Sequence, residues 1–277
     1  MKVKPAFYTV YGEFYLHRRE RFTLPEMTAL LGTLGFGEAA VRSALFRLLR
    51  EGQLEGERQG GRRRYRLAAD AREWLAAGVA RVHAEDEPTW DGRWRILLYS
   101  VPEAERALRD RMRRELAWLG FGSLGQGAWI SPLPLLPTMI RRLEQVGVGR
   151  TVAFEGEWRG PGSAQELVAS AWDLEAVAAR YRLFLHQDLG PAEVRGAAMP
   201  GAEAFRTWVS LVYEYRKFLH LDPGLPKELL PKDWPGGEVR RRLLALLRSL
   251  DPVVEPFVEQ AREVGASEAA FASGHGG

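Results

Sequence analysis

Hydrophobic positions near the N-terminus recur at spacings of three and four, which predicts amphipathic helices. The first helix is expected over residues 5–17, and Thr23-Leu24-Pro25-Glu26 carries the signature of a second helix start. A third helix follows from Gly37 or Glu38 to Glu51-Gly52. Two strand-like segments then flank an arginine-rich turn, and a fourth helix covers about 70–83. Three helices followed by a two-stranded hairpin is the order of a winged helix-turn-helix.

The middle of the chain changes to alternating strands and helices after the acidic linker at 85–88. This order predicts a small α+β sandwich of the ferredoxin-like kind. The expected elements are a strand at 94–101, a helix at 103–119, a turn region at 120–127, a strand at 128–131, a helix at 138–146 and a strand at 151–158.

The remaining third is predicted to be helical, at 163–187, 201–220 and 237–260, with a proline-rich elbow between the last two helices. We therefore expect an α+β protein with four consecutive parts. These are a winged helix at 1–87, a ferredoxin-like domain at 88–160, a helical domain at 161–265 and a disordered tail at 266–277.

Charge is distributed unevenly along the chain, although the net charge is only +3. Residues 1–67 hold 13 Lys and Arg against 7 Asp and Glu, whereas residues 68–277 hold 26 against 29. This asymmetry places any surface that binds a polyanion at the N-terminus. No apolar run approaches the ~20 residues that span a bilayer, so we expect a cytoplasmic protein that does not enter a membrane. The absence of cysteine excludes disulfides and thiolate metal sites.

The arginines of the third helix and the hairpin suggest contact with double-stranded DNA. Arginine can donate two hydrogen bonds to guanine, and hairpin guanidinium groups can contact phosphates or enter the minor groove. A solvated charged face is the alternative, but the conjunction of helix pair and basic hairpin favours DNA. The candidate DNA-binding residues are Arg42, Ser43, Phe46, Arg47, Arg50, Arg58, Arg62, Arg63 and Arg64.

The sequence contains no strong motif for catalysis, metal binding or dinucleotide binding. The five histidines form no HxxxH or HExxH pair, and no serine stands in a GxSxG elbow. Gly120-Phe121-Gly122-Ser123-Leu124-Gly125 fits GxGxxG by letter, but it follows a helix, so a turn is the better interpretation. We expect no catalytic set, no metal and no cofactor.

Several segments resemble the PaaX-type repressors of phenylacetic acid degradation. They are Gly37-Glu38-Ala39-Ala40-Val41-Arg42-Ser43-Ala44-Leu45-Phe46-Arg47-Leu48, Trp90-Asp91-Gly92-Arg93-Trp94, Gly120-Phe121-Gly122, Trp129-Ile130-Ser131-Pro132, Trp172-Asp173-Leu174 and Trp234-Pro235-Gly236. The resemblance implies a cytoplasmic, dimeric repressor that phenylacetyl-coenzyme A releases from its operator. Phe46 stands where a small polar residue is expected, and Tyr213 where a histidine is expected, which leaves the operator sequence and the ligand open.

An aryl-acyl-coenzyme A effector would need cations near aromatic side chains, because it joins phosphates to an apolar end. Arg180, Arg182, Tyr213 and Arg216 are the candidates, with a solvated face beside a helix core as the alternative.

The middle block also resembles, in fold, the small ferredoxin-like nuclease of CRISPR spacer acquisition. That nuclease holds a metal with an acidic residue at the end of its first strand, where this chain has Ser100. A hydroxyl is a poor ligand for a hard divalent cation. A nucleic-acid-processing enzyme is therefore the second hypothesis, behind a structural role for this block.

Overall fold

The computed structural model describes residues 1–59, 62–85, 88–145, 148 and 151–273, and these ranges form an α+β fold with two small antiparallel sheets. The helices are α1 Val3–Phe14, α2 Leu24–Thr33, α3 Glu38–Arg50, α4 Ala69–His83, α5 Arg106–Trp118, α6 Leu136–Gln145, α7 Ala164–Ala171, α8 Leu174–Phe184, α9 Gly190–Arg195, α10 Gly201–Tyr215 and α11 Gly236–Ser273. The strands are β1 Leu54–Gln59, β2 Arg62–Leu67, β3 Trp94–Tyr99, β4 Gly122–Gly125, β5 Ala128–Ser131 and β6 Thr151–Gly156.

The chain forms two compact units that are discontinuous in sequence. The first holds Met1–His83, Phe184–Arg216 and Arg240–Gly277, and the second holds Ala84–Leu183 and Lys217–Val239. This division differs from the consecutive parts expected from the sequence. The reason is visible at Phe14 of α1, whose ring lies 5.5 Å from the rings of both Phe205 and Trp208 in α10. The later helices thus complete the core of the N-terminal segment.

In the first unit an aromatic cluster joins the hairpin to the helices. Phe22 lies 5.6 Å from the Phe7 ring and 5.8 Å from the Tyr65 ring. Its backbone also pairs with Tyr65 of β2, with N–O distances of 3.0 and 2.8 Å in the two directions. Tyr11 stacks on Tyr15 nearby. The hairpin is therefore fixed to α1 by both main-chain hydrogen bonds and ring packing.

A buried carboxylate, Glu26, holds the start of α2. It accepts a hydrogen bond from the Thr23 backbone N–H at 3.0 Å, while the Thr23 hydroxyl accepts from the Glu26 N–H, which forms a capping box. The Tyr15 hydroxyl donates to Glu26 at 2.6 Å, and Arg262 Nε lies 3.2 Å away. Burial and the neighbouring carboxylate together raise the pKa of Tyr15 well above its ordinary value. The predicted helix start at Thr23 is confirmed.

Helix α11 packs its acidic residues against arginines that follow α1. Arg19 is almost completely buried, and its Nε donates to Glu259 at 2.9 Å. Arg18 donates to Glu255 at 2.8 Å. Burial alone would lower the pKa of Arg19, but the hydrogen bonds that it donates to Glu255 and Glu259 raise it. A buried guanidinium needs such partners, so these ion pairs fix where α11 lies within this unit.

The second unit contains a four-stranded antiparallel sheet in the order β4-β5-β3-β6. Helices α5 and α6 cover one face through a core around Leu97, Met112, Leu116 and Met139. A second core, which includes Trp94, Ile130, Leu167 and Leu225, lies on the opposite face. Strand β4 occupies part of the region predicted as a turn, so that prediction was wrong. Its weak hydrophobic pattern and the irregular pairing between Ser123 and Gly125 explain why the sequence did not indicate a strand.

The Trp90-Asp91-Gly92-Arg93-Trp94 segment is a structural turn. Arg95 is buried and donates to the Pro132 carbonyl at 2.7 Å and to the Asp91 carboxylate. The hydrogen bond from Arg95 lowers the pKa of Asp91 to about 2. Gly92 adopts a φ of +77°, which favours glycine, and the Trp90 indole donates to the Arg93 carbonyl at 3.1 Å.

Two further predictions differ from the structure. The helix expected over 163–187 is broken into α7 and α8, because Trp172 is extended and the Asp173 carboxylate accepts from the Ala176 N–H at 3.0 Å as a new cap. The tail was expected to be disordered, but α11 continues to Ser273; residues 274–277 lie outside the described ranges.

We predict that Glu26→Ala lowers the free energy of unfolding by about 2–4 kcal/mol, since it removes a cap and leaves the Tyr15 hydroxyl without its buried acceptor. Urea unfolding of the full chain measures this. Glu38→Ala is the matched control, because Glu38 starts α3 and pairs with Arg42 on the surface, where a pair contributes at most about 1 kcal/mol. Equal urea midpoints for the two variants would contradict the role given to Glu26.

Candidate nucleic-acid interface

The outer face of α3 carries the candidate residues predicted for this helix. Val41, Ala44, Leu45 and Leu48 are buried against the rest of the first unit. The 3.6-residue period then directs the remaining positions outward. The side chains that this leaves exposed are Arg42, Ser43, Phe46, Arg47 and Arg50.

Two of these arginines have carboxylate partners on the same helix surface. Arg42 pairs with Glu38 one turn earlier, and Arg47 Nε lies 3.9 Å from Glu51. All four side chains are well exposed, so these pairs contribute little to stability and are readily exchanged for another anion. Phe46 is 47% exposed, which is unusual for phenylalanine and leaves its ring free to contact a partner.

The hairpin separates its arginines onto two faces. Strand β1 pairs with β2 so that Leu54 faces Leu67, Gly56 faces Tyr65 and Arg58 faces Arg63. Because residues directly opposite share a face, Arg58 and Arg63 extend the apolar face of the hairpin toward its tip. On the other face Glu57 is opposite Arg64. The side chains of Gln59 and Arg62, and the residues Gly60 and Gly61, lie outside the part that the structure describes.

Arg58 and Arg63 form an exposed cross-strand pair of like charges. Directly opposed like charges destabilise a sheet, and a polyanion between them would relieve this repulsion. Arg63 also lies 5.6 Å above the Tyr65 ring, which orients its guanidinium. Arg64 is half-buried, which makes it less available than Arg58 or Arg63, and Glu57 opposite it pairs with Arg21 at 2.7 Å.

The start of α1 adds cations that the sequence analysis did not single out. A groove of about 490 Å³ is lined by Lys2 and Lys4 together with Ser43 and Arg47 of α3. Lys4 Nζ lies 2.8 Å from Glu51. The hydrophobic pattern gave no signal for these lysines, because their approach to α3 depends on how α1 packs against it.

The four effector candidates fall in different units. Arg180 and Arg182 are exposed residues of the second unit, where they flank the buried Tyr181, and Arg182 donates to Asp233 at 3.1 Å. Tyr213 and Arg216 belong to the first unit. Arg216 is half-buried, donates to the Thr9 hydroxyl at 3.4 Å, and has its pKa lowered by burial. Neither unit holds all four residues by itself.

Ser100 lies directly after β3, at the position considered above for a metal-binding acid. Among the described residues, no three His, Asp or Glu side chains are grouped so that they could hold a metal ion. Nor does any helix in the described ranges combine the length and hydropathy needed to span a bilayer.

Comparison with known proteins assigns the family. Three family models match consecutive parts of the chain: "PaaX-like protein" at residues 3–71, "PaaX protein central Cas2-like domain" at 87–168 and "PaaX-like protein C-terminal domain" at 172–260. The transcriptional repressor PaaX of Escherichia coli K12 is 32% identical over 267 residues, which cover 94% of this chain and 84% of that protein. The chain belongs to the PaaX family, as its sequence motifs indicated.

The fold is also shared with a solved structure. The uncharacterized protein Rv0674 from Mycobacterium tuberculosis superposes with a TM-score of 0.61 at 23% identity, and the match covers 96% of this chain and 99% of that one. At this identity the likeness concerns the fold, and it extends over both compact units.

Proposed function

We propose that this protein is a DNA-binding transcriptional repressor of an aromatic-acid catabolic operon, most specifically one for phenylacetate. The observation that carries the proposal is the exposed basic face of α3 beside the Arg58–Arg63 pair, in a chain of the PaaX family. The E. coli relative is a transcriptional repressor by name, which supports the same role here and not an enzymatic one. Cytoplasmic localisation is part of this proposal.

In this account α1, α2, α3 and the hairpin form a winged helix-turn-helix, and α3 enters the major groove. Arg42 and Arg47 would donate to guanine O6 and N7, while the Phe46 ring would contact a thymine methyl group. Ser43 and Arg50 would contact a base edge or the phosphates. The hairpin would then lie along the backbone, with Arg58, Arg62, Arg63 and Arg64 supplying positive charge.

We further propose that the four-stranded sheet and the helices of the second unit have a ferredoxin-like topology. We also propose that two copies of the chain form a homodimer through this unit. Leu98 and Phe154 are 37% and 58% exposed, and the β3–β6 register places them on one face of the sheet. Apolar side chains exposed together on a sheet are typical of a surface that another chain covers.

The first prediction for this function concerns sequence reading. Arg42→Ala and Arg47→Ala should each cost about 1–3 kcal/mol of operator affinity and relax the preference at one base pair. Competition binding against operator variants measures both effects. The control is Arg111→Ala, which removes an exposed arginine from α5 in the second unit. Wild-type strength and specificity in both α3 variants would defeat the proposal.

The second prediction concerns the hairpin. The double variant Arg58→Ala/Arg63→Ala should weaken binding to every DNA sequence and reduce the slope of log K against log salt, by about 0.9 for each lost phosphate contact. Arg66→Ala is the matched control, since Arg66 pairs with Glu55 at 3.0 Å on the other face of the hairpin. An unchanged slope in the double variant would mean that this face of the hairpin does not contact DNA.

The third prediction concerns the signal. An aryl-acyl-coenzyme A such as phenylacetyl-coenzyme A should bind the DNA-free protein more tightly than the DNA-bound one, and operator DNA should weaken its binding by the same factor. Arg180 and Arg182 in the second unit, or Tyr213 and Arg216 in the first, are the proposed contacts. Calorimetry of the full chain tests this, and phenylacetyl-coenzyme A should bind more tightly than free coenzyme A or phenylacetate. No heat from the acyl-coenzyme A, in a protein that still binds DNA, would leave a repressor with another signal.

A further inference from the structure

The second unit contains a cationic pocket at the end of β3 that belongs neither to the DNA-binding surface nor to the proposed effector contacts. It has a volume of about 320 Å³ and lies between α5 and the β4–β5 turn. Its polar wall is formed by Arg109, Arg113, Ser100, Ser123 and Gln126. No Asp or Glu is among the described residues that line it. Two guanidinium groups with hydroxyl and amide donors form a donor set suited to a phosphate.

The backbone around this pocket is specialised. Gly125, Gln126 and Gly127 all have positive φ, at +89°, +46° and +81°. A left-handed Gln between two left-handed glycines is costly, and such strain is concentrated at functional sites. A Cβ on Gly127 would lie 2.3 Å from the Tyr99 carbonyl oxygen, so only glycine lets the turn close against the end of β3. The strained turn places Gln126 at the pocket.

Arg109 and Arg113 both lie close to Tyr99, which lines the same pocket. Burial raises the pKa of Tyr99, whereas a hydrogen bond from Trp129 and the nearby charges of Arg113 and Arg109 oppose that increase. Arg109 is held by Glu103, with N–O distances of 2.6 and 3.1 Å, but that carboxylate is 82% exposed. A solvated surface pair is weak, and a phosphate that brings two charges could replace it.

We propose that this pocket binds the phosphate groups of a phosphorylated small molecule. Arg109 and Arg113 bind the phosphate oxygens, and Ser100, Ser123 and Gln126 donate the remaining hydrogen bonds. A pocket of about 320 Å³ has room for a diphosphate. Both nucleotides and coenzyme A carry the required groups, and the site does not depend on whether the protein binds an operator.

The test is calorimetric titration of the full chain, in metal-free buffer, with inorganic pyrophosphate, ADP and coenzyme A. Pyrophosphate should bind. If only ADP binds more tightly than pyrophosphate, the ligand is a nucleotide. If only coenzyme A does so, the ligand is a coenzyme A derivative. Arg109→Gln/Arg113→Gln should weaken pyrophosphate at least about tenfold, as expected when charged hydrogen bonds are lost. Arg114→Gln, an exposed arginine of the same helix outside the pocket, should not.

A second pair of variants keeps both arginines. Ser100→Asp introduces a carboxylate beside the guanidinium groups and should abolish pyrophosphate binding, whereas the neutral, similarly sized Ser100→Asn removes only the hydroxyl group and should weaken binding much less. Thermal melts of each variant verify folding. The proposal is overturned if the wild-type chain does not bind pyrophosphate, or if Ser100→Asp binds like Ser100→Asn. It is equally overturned if binding is lost in Arg58→Ala/Arg63→Ala and not in the pocket variants, since the site would then be the hairpin.

Discussion

The burial of one face of α3 is the constraint on which the functional account depends. One face of α3 is buried, at Val41, Ala44, Leu45 and Leu48. Because the helix is regular, the positions on its opposite face are then exposed. The rest of the first unit supports this arrangement. Glu26 fixes the start of α2, and Phe22 attaches the hairpin to the helical core.

Two groups of arginines can be distinguished in the first unit, one buried and one exposed. Where arginines stabilise the fold, as at Arg19, they are buried and matched to carboxylates of α11. The arginines of α3, and Arg58 and Arg63 of the hairpin, are instead exposed, and they are weakly paired or opposed to another arginine. An arrangement that costs the isolated protein some stability is reasonable where a polyanion binds, since phosphates supply the missing countercharge.

Periodicity predicted α1 to α4, the hairpin and the outward positions of α3, because local spacing largely determines which face of a helix is buried. It did not predict β4, whose glycine-rich strand has no hydrophobic pattern and depends on pairing with β5. It also missed the break at Trp172, where the Asp173 cap competes with helix continuation. Periodicity also could not predict the discontinuous units, because contacts such as Phe14 with Phe205 join segments far apart in sequence. For the same reason Lys2 and Lys4 were not recognised beside α3.

The family assignment and the structure support each other on different levels. The family models cover both units, while the structure shows what the recurring motifs do: Asp91 and Gly92 hold a buried arginine, and Trp234 packs on Tyr181, whose hydroxyl donates to Asp222 at 2.8 Å. These motifs stabilise the second unit. The proposed specificity for DNA therefore rests on the exposed side chains of α3.

The most direct test of this claim is selection of bound DNA from a random duplex pool by the full-length protein, followed by sequencing. The account predicts that the wild-type chain enriches a defined sequence and that Arg42→Ala/Arg47→Ala loses the enrichment while it remains folded. Enrichment of the same sequence by the wild type and the double variant, or none by the wild type, would contradict it.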